Sequence, residues 1–374
     1  MKTLKIQEVA NQVRGVSYKP DDLHDSLNDS SVILLRANNI DDGKINFDDV
    51  VYVDKSKVSK EQYLKRGDIL VCASSGSKQL VGKAASVDFE TECTFGAFCK
   101  VVRPQEEFAR YLGKYFQSNT YRSKISAVAI GANINNIRNE HIDTLDLRVY
   151  DEAKNEEIVH VISCVQSIIE HRKQEIKKLD ELIKARFVEM FGTLDNPADE
   201  FEKATLKELC NKITDGKHGG CTSEEGTQRY FVGAREIYDD EVHYDTAPEI
   251  NVEEFEKDYK RCNIEIGDFL IVNTGATIGK SAIAFDERTE HTLLQKSVAL
   301  LKVKKDKLNP VFLKWCYRVN TRMYMVESAS AQPNLLLSKI KGTVIYVPSI
   351  ALQNQFADFV RAVDKSKVVL LSIK

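Results

Sequence analysis

The segment Thr274-Gly275-Ala276-Thr277-Ile278-Gly279-Lys280-Ser281 follows an apolar run and nearly spells a phosphate-cradling loop, whose chemistry would be nucleotide hydrolysis. Its spacing is wrong. Three residues separate Gly275 from Gly279, and five separate Gly76 from Gly82 in a related segment, one fewer and one more than the motif allows. A nest of backbone N–H groups around a phosphate does not easily absorb either change. The other catalytic constellations fail sooner. The 7 histidines are scattered, without a metal-binding His-Glu-x-x-His helix, and His160 and His171 read as helix-surface residues. No Gly-x-Ser-x-Gly elbow marks a nucleophile. The chain has no Pro-Pro pair, so it lacks the Asp/Asn-Pro-Pro-Tyr type of site used by amino-group methyltransferases. Glu175-Ile176-Lys177 imitates a nuclease Glu-x-Lys, but Ile176 belongs to a helical seam. The chain is expected to bind no cofactor or metal and to catalyse nothing itself.

What remains is recognition chemistry. Glycine-flanked loops carry small polar and basic side chains: Ser74-Ser75-Gly76-Ser77-Lys78 in one half, Asn273-Thr274-Gly275-Ala276-Thr277 in the other. Such loops suit close approach to a phosphate backbone. Asn and Gln pair bidentately with adenine, Arg and Lys with guanine. Asn133, Asn135, Arg138, Gln332 and Asn334 are therefore candidate base readers. Lys83, Lys217, His218 and Lys280 are candidate phosphate contacts. Arg36, Ser75, Lys78, Arg235, Thr274 and Thr277 complete the candidate DNA-contacting set, the alternative for each being a solvated turn residue. The aromatics Phe95, Phe98, Tyr111, Tyr115 and Phe116 read as core packing in preference to a base-stacking platform.

The elements that position these residues occur twice, at an offset of about 200 residues. Glu8 with Ala10-Asn11 answers to Glu208 with Cys210-Asn211, and Leu34 to Ile40 answers to Phe231 to Ile237. Arg66-Gly67-Asp68-Ile69-Leu70-Val71 matches Ile266-Gly267-Asp268-Phe269-Leu270-Ile271, each a turn feeding a strand-like run. Gly82-Lys83 answers to Gly279-Lys280, Asn133 to Ile137 falls opposite Gln332 to Leu336, and Leu147 to Val149 opposite Ile345 to Val347.

Each half closes on a helix. From Glu152 to about Phe191 there is neither Pro nor Gly, and Ile162, Ile169, Ile176, Ile183 and Met190 recur every seventh residue, a coiled-coil seam completed by Val165 and Leu179. Arg172 and Arg186 lie on it and would specify register or a partner. About 40 helical residues make a rod of roughly 60 Å. Gly192 stops it, and 193–200 reads as a linker. A second helix starts near Ser349, where Phe356, Val360 and Val363 repeat the apolar face of Ile158, Ile162 and Val165. Counterparts of 177–192 are missing, so the distal seam around Ile183 and Met190 is expected to lie bare. The predicted layout is a recognition module at 1–150, a spacer helix at 151–192, the linker, a second module at 201–348 and a helix at 349–374 that pairs with the spacer.

Composition bounds the reading. With 374 residues, 43% hydrophobic and 29% charged, the chain can bury more than one core. Eight cysteines without a Cys-x-x-Cys pair imply reduced thiols in a cytoplasm, and no apolar run approaches a membrane span. A net charge of −3 weighs against a basic coat, although acidic stretches at Asp239 to Glu241 and Glu253 to Glu256 leave room for a local basic cleft.

The repeated Gly-Asp strand with its Gly-Lys pair, the Asn-rich segment, and the helix ending at Leu179 to Gly192 resemble the specificity subunits of type I restriction-modification enzymes over essentially the whole chain, and Gln353-Asn354-Gln355 fits the head of that family's last helix. The resemblance implies an α/β (α+β) fold with a pseudo-two-fold internal repeat. In it, two target recognition domains are separated by long antiparallel helices, and each reads half of a split site in double-stranded DNA. It implies as partners two modification subunits carrying S-adenosylmethionine and restriction subunits carrying ATP and Mg²⁺. A rod of roughly 60 Å would set the half-sites at most ~17 base pairs apart at ~3.4 Å each. Three other readings stay open: a coiled-coil scaffold that binds protein, a self-contained enzyme, and a shortened inactive or regulatory version.

Overall fold

The computed structural model describes residues 1–77, 80–131, 136–324 and 334–372, with backbone alone at 128–131 and 369–372. The chain falls into two compact units, Met1–Ile169 and Glu170–Lys374, and the 40-residue helix Glu152–Phe191 contributes to both.

The first unit is built on a four-stranded antiparallel sheet in the order Ala10–Arg14, Cys99–Pro104, Ile69–Cys72, Ala84–Ser86. The Ile69–Cys72 strand is apolar throughout because both its faces are covered. Ile69 and Val71 pack with Leu112, Phe116, Tyr121 and Ile125 from the helices Ala109–Phe116 and Asn119–Gly131. Leu70 and Cys72 pack with Leu35 and Phe95, which belong to a second sheet where Cys93–Phe95 runs parallel to Ser31–Leu35. The opening strand Lys2–Lys5 pairs antiparallel with the closing strand Asp146–Val149.

The second unit repeats this plan almost strand for strand. Its four-stranded sheet is ordered Cys210–Asp215, Val298–Val303, Phe269–Val272, Ser281–Ile283, and Glu202–Thr205 pairs with Val344–Val347. The parallel pair recurs as Tyr230–Val232 with Thr292–Leu294. The two units part where the first inserts the strand Val51–Asp54 and the second the helix Val252–Tyr259.

The repeated sequence signals prove architectural. Gly67 and Gly267 both hold the left-handed backbone, at φ +89° and +94°. The next residue closes the turn: Asp68 accepts from the amide of Lys65 (2.9 Å) and Asp268 from that of Glu265 (2.8 Å). Each carboxylate then anchors a cation on the neighbouring strand, Arg103 at 2.7 Å in one unit and Lys302 at 2.8 Å in the other. The Gly-Lys pairs close hairpins. Gly82 and Gly279, at φ +83° and +91°, donate to the carbonyls of Cys72 and Val272. The segment Thr274 to Ser281 thus joins two strands, whereas a phosphate-binding loop opens a helix.

The helix Glu152–Phe191 corrects one expectation. Its distal end is buried: Ile183, Phe187 and Phe191 share a core with Phe312, Phe356, Val360 and Val363, and Met190 and Leu179 pack against it. The covering element is the C-terminal helix Ile350–Ser372. Phe356 meets Phe187 and Phe191 at ring separations of 5.3 and 5.6 Å, and Lys367, farther along, reaches Asp180 at 2.8 Å, so the helices run antiparallel. The expected bare seam was placed at the wrong end because position in the repeat was equated with position in space. In an antiparallel pair the short helix, starting near Phe191, covers the nearest turns first. The exposed part is proximal: Val161, Ile162, Val165, Ile168 and Ile169 are all open to solvent, and Ile176 is half-buried. Arg172 and Arg186 pair along the helix with Glu175 and Glu189.

Gln353 is fully buried at the head of the last helix. Its amide donates to the carbonyls of Lys307 and Pro348 and accepts from the amide of Asn309. The expected linker after Gly192 is tied down, since the Leu194 amide donates to Asn320 Oδ1 at 2.8 Å.

Candidate nucleic-acid interface

At one end of each four-stranded sheet, three chain segments meet at a single residue. Ala73 donates its N–H to the carbonyl of Phe98 (2.9 Å) and accepts from the N–H of Ile137 (2.7 Å). In the second unit Asn273 donates to Ser297 (3.0 Å) and accepts from Leu335 (2.7 Å). Bridges Ser74 to Asn136 and Thr274 to Asn334 flank these junctions. A fourth segment passes close by, at Gly15 and Gly216. A Cβ there would lie 2.2 Å from the Gly96 carbonyl oxygen or 2.1 Å from that of Leu294, so only glycine fits.

These hydrogen bonds fix which residues correspond. Ile137, buried, answers to Leu335, also buried, so Asn136 matches Asn334, and the sequence pairing of Asn133–Ile137 with Gln332–Leu336 slips by one residue. The slip arose because the side chains there differ while the backbone role is shared. By the same logic Ser17 corresponds to His218, Arg36 to Gly233, Asn38 to Arg235, Phe98 to Ser297 and Arg138 to Leu336.

In the first unit two clefts flank the junction, with Ala97 lining both. The larger, about 590 Å³, is walled by Ser17, Tyr18, Arg36, Asn38, Ser75 and Phe98 among others. The smaller, about 420 Å³, gathers three cations, Arg14, Lys100 and Arg138, with Gln12, Asn136 and Asn139. Burial pushes the Lys100 ammonium below its ordinary pKa; Asp143 opposes this and Arg14 adds to it. Lys100 donates to Asn139. This is a local concentration of positive charge and amide groups in a chain whose net charge is −3. Part of the acidic sequence is consumed internally: Asp240 binds Lys314 and Arg318 (3.3 and 2.8 Å).

The candidate residues divide. Arg36 and Ser75 line the larger cleft and Arg138 the smaller, although Arg36 already pairs with Asp49 at 3.0 Å. Arg235 and Asn334 are exposed, and Thr274 places its hydroxyl 3.4 Å from Asn334 Oδ1. His218 is exposed beside Asp215 at 3.2 Å. Burial raises the Asp215 carboxyl, but hydrogen bonds from Arg261 and His218 outweigh it and hold the pKa below normal. Lys83, Thr277 and Lys280 belong to the hairpin turns, and Lys83 lines neither cleft. Lys217 is corrected: its ammonium is bound to Asp258 at 2.7 Å and Glu254 at 3.4 Å, which raises its pKa and makes it an internal brace. Lys78, Asn133, Asn135 and Gln332 lie outside the described residues.

Sequence reasoning passed over Arg14, Lys100, Asn38 and Phe98. Phe98 is the clearest reversal. Phe95 and Phe116 are buried as expected and Tyr111 and Tyr115 partly so, but Phe98 is 71% exposed. Asn38 was legible in principle, because it aligns with Arg235 inside a matched segment. A matched position carrying unlike polar side chains is the signal to look for.

Fold and site together define a twinned recognition protein, with one α+β module used twice, each copy followed by a helix, and unlike side chains mounted at equivalent points. Residues 198–372 match the family model described as the type I restriction modification DNA specificity domain. The chain is 25% identical over 379 residues to the specificity subunit of the type I restriction enzyme EcoKI from Escherichia coli (strain K12), covering 96% of this chain and 80% of that one. It is 33% identical over 183 residues to the StySPI specificity subunit from Salmonella potsdam, covering 49% of this chain and 40% of that relative. In fold it resembles the crystal structure of the type I restriction-modification S subunit from M. genitalium, with a TM-score of 0.52 at 16% identity, covering 99% of this chain and 90% of that one. A chain from a structure of type I R-M complex assembly and conformational transition gives the same score and identity, covering 99% and 94%. The chain is thus similar along most of its length to specificity subunits of type I restriction enzymes, and its second half matches the DNA specificity domain. Among the described residues no helix is long and apolar enough to cross a membrane.

Proposed function

We propose that each module reads one half of a bipartite DNA site and that the chain supplies the address for partner subunits that carry out the chemistry. One observation carries this reading: the same backbone junction recurs in both modules while the side chains mounted on it differ, with Ser17 for His218, Asn38 for Arg235 and Arg138 for Leu336. Identical readers would suit a palindrome. A shared scaffold with unlike readers suits an asymmetric, split target.

In this reading the cation cluster Arg14, Lys100 and Arg138 holds phosphates, which fixes register without carrying sequence information. Asn38, Ser75, Arg235 and Asn334 present hydrogen-bonding groups to base edges. S-adenosylmethionine, ATP and Mg²⁺ reside on the modification and restriction subunits, with two modification subunits per chain. The exposed stripe Val161 to Ile169 is covered by a modification subunit, because apolar side chains at helical spacing are unfavourable when left in water.

The test is to co-produce the chain with its modification subunit in a methylation-free host and sequence the genome for modified adenines. A split motif is expected, each half altered only by substitutions in its own module, with binding that weakens steeply as salt rises. A soluble complex that leaves no methylation and binds DNA without salt dependence would favour the protein-binding scaffold instead.

A further inference from the structure

We propose that Phe98, and in the second module Leu336, are apolar probes that press on bases of their own half-sites, and that each sets specificity at one position. The inference rests on the DNA-reading function above and adds residues to it. A single exposed hydrophobic side chain needs no explanation. Here there are two, 71% and 58% exposed, both at the junction that recurs between the modules. They occupy different arms of it. In the first module the apolar tip is on the segment whose carbonyl accepts from Ala73, and its other arm carries Arg138; in the second that first arm carries Ser297 and the apolar tip follows Leu335.

The backbone makes these placements rigid. The Phe98 carbonyl accepts from both Ala73 and Ser74 at 2.9 Å, so the loop is pinned while the ring stands free. Its counterpart Ser297 turns inward, its hydroxyl accepting from the Ala234 amide at 3.1 Å. Phe98 shares its cleft with the hydrogen-bonding groups of Asn38, Ser75 and Arg36, and with Tyr18 and the buried Val16. Leu336 precedes the helix Leu337–Gly342, and its carbonyl accepts from Ile340. Groups that contact base edges need this combination: fixed backbone, free tip and polar neighbours. Phe and Leu are side chains that either touch the thymine methyl or wedge between base steps, and both modes exclude water from a base surface.

The experiment compares F98A, L336A and the unaltered chain, each in complex with the modification subunits. The readouts are the methylated motif, affinity for the cognate site, and affinity for unrelated DNA. F98A is expected to relax one position in one half-site and to weaken cognate binding roughly 5- to 150-fold, the range for loss of one aromatic–base contact. L336A is expected to relax a position in the other half-site. Binding to unrelated DNA and the melting temperature stay unchanged, since neither tip is buried. Replacing thymine by uracil separates a methyl contact from a wedge, which instead brightens 2-aminopurine placed at the affected step. An unaltered motif and affinity in both variants would overturn the inference while leaving the wild-type motif, and with it the DNA-reading function, intact. Equal loss on cognate and unrelated DNA would also overturn it.

Discussion

Adding residues to the Glu152–Phe191 helix tests whether it acts as a spacer. The structure dictates the place for such an insertion. Leu179 packs against the second core and Asp180 binds Lys367, so an insertion within Lys177 to Leu182 would break that pairing. On the other side, Gln166 binds Lys114 and Gln117 of the first unit. Between Gln174 and Glu175 the insertion falls clear of both sets of contacts. Four residues there add about 6 Å and, at 3.6 residues per turn, rotate the C-terminal side of the helix by about 40°. Along a DNA axis parallel to the helix, ~6 Å is just under two base pairs, which rotate by about 70° at ~10.5 base pairs per turn. The mismatch of roughly 30° is about that of one base pair, so the complex should methylate sites whose gap is one or two base pairs longer, with both half-sequences unchanged. Two inserted residues add only ~3 Å but turn the second module by about 200°, against about 34° for one base pair of DNA. That variant should lose methylation. Genome-wide adenine modification reads both outcomes. A four-residue variant that keeps the original gap, or a two-residue variant as active as the four-residue one, would refute the spacer role.

The packing sets three further outcomes. Phe356→Ala empties a site walled by Phe187, Phe191 and Trp315 and should cost ~3–5 kcal/mol, lowering the melting temperature of the second unit by roughly 6–20 °C in calorimetry; a shift of a degree or two would mean that the last helix is not held as described. Hydrogen bonds from Thr222 hold the Glu254 carboxyl down at about 2, below its ordinary 4.5. A depressed carboxyl stabilises the fold above its unfolded pKa, so the wild type should melt higher than Glu254→Gln at neutral pH and lose that advantage as pH falls from 4.5 towards 2; a pH-independent difference would contradict the assignment. Of the eight free cysteines only Cys164 is exposed, with Cys221 partly so, while burial pushes Cys93, Cys210 and Cys316 up to about 12. A thiol reagent should therefore label Cys164 quickly, Cys221 slowly and the other six only on unfolding, and a bound modification subunit should shield Cys164, which sits beside Val165 in the exposed stripe.

The repeat was legible because the features that copy a backbone are few and conspicuous. Glycine is needed at the left-handed turns of Gly67 and Gly267, an aspartate to close each turn, and an unbroken apolar run wherever a strand is covered on both faces. The seven-residue seam showed which residues of the long helix could pack, but not which would. Burial of Ile183 and exposure of Ile162 depend on where the last helix starts, and that is a fact of tertiary structure. The site was harder to read. Lys217 looked like a phosphate ligand because its acidic partners Asp258 and Glu254 lie some forty residues away in sequence. Phe98 looked like core because phenylalanine is usually buried, and nothing local reveals that its carbonyl is the part being held.

Each module begins and ends on the two strands of one antiparallel ribbon, Lys2–Lys5 with Asp146–Val149 and Glu202–Thr205 with Val344–Val347. The chain therefore enters and leaves a module at neighbouring points, and everything between them is a closed loop hung from a two-stranded clasp. A domain whose ends adjoin can be lifted out and another set in its place without disturbing the rest of the chain. Genetic exchange between such chains would need matching sequence only at the clasp and the helix after it. Under the proposed reading, a new half-address could then be acquired in a single event, with the helix between the modules left as it was.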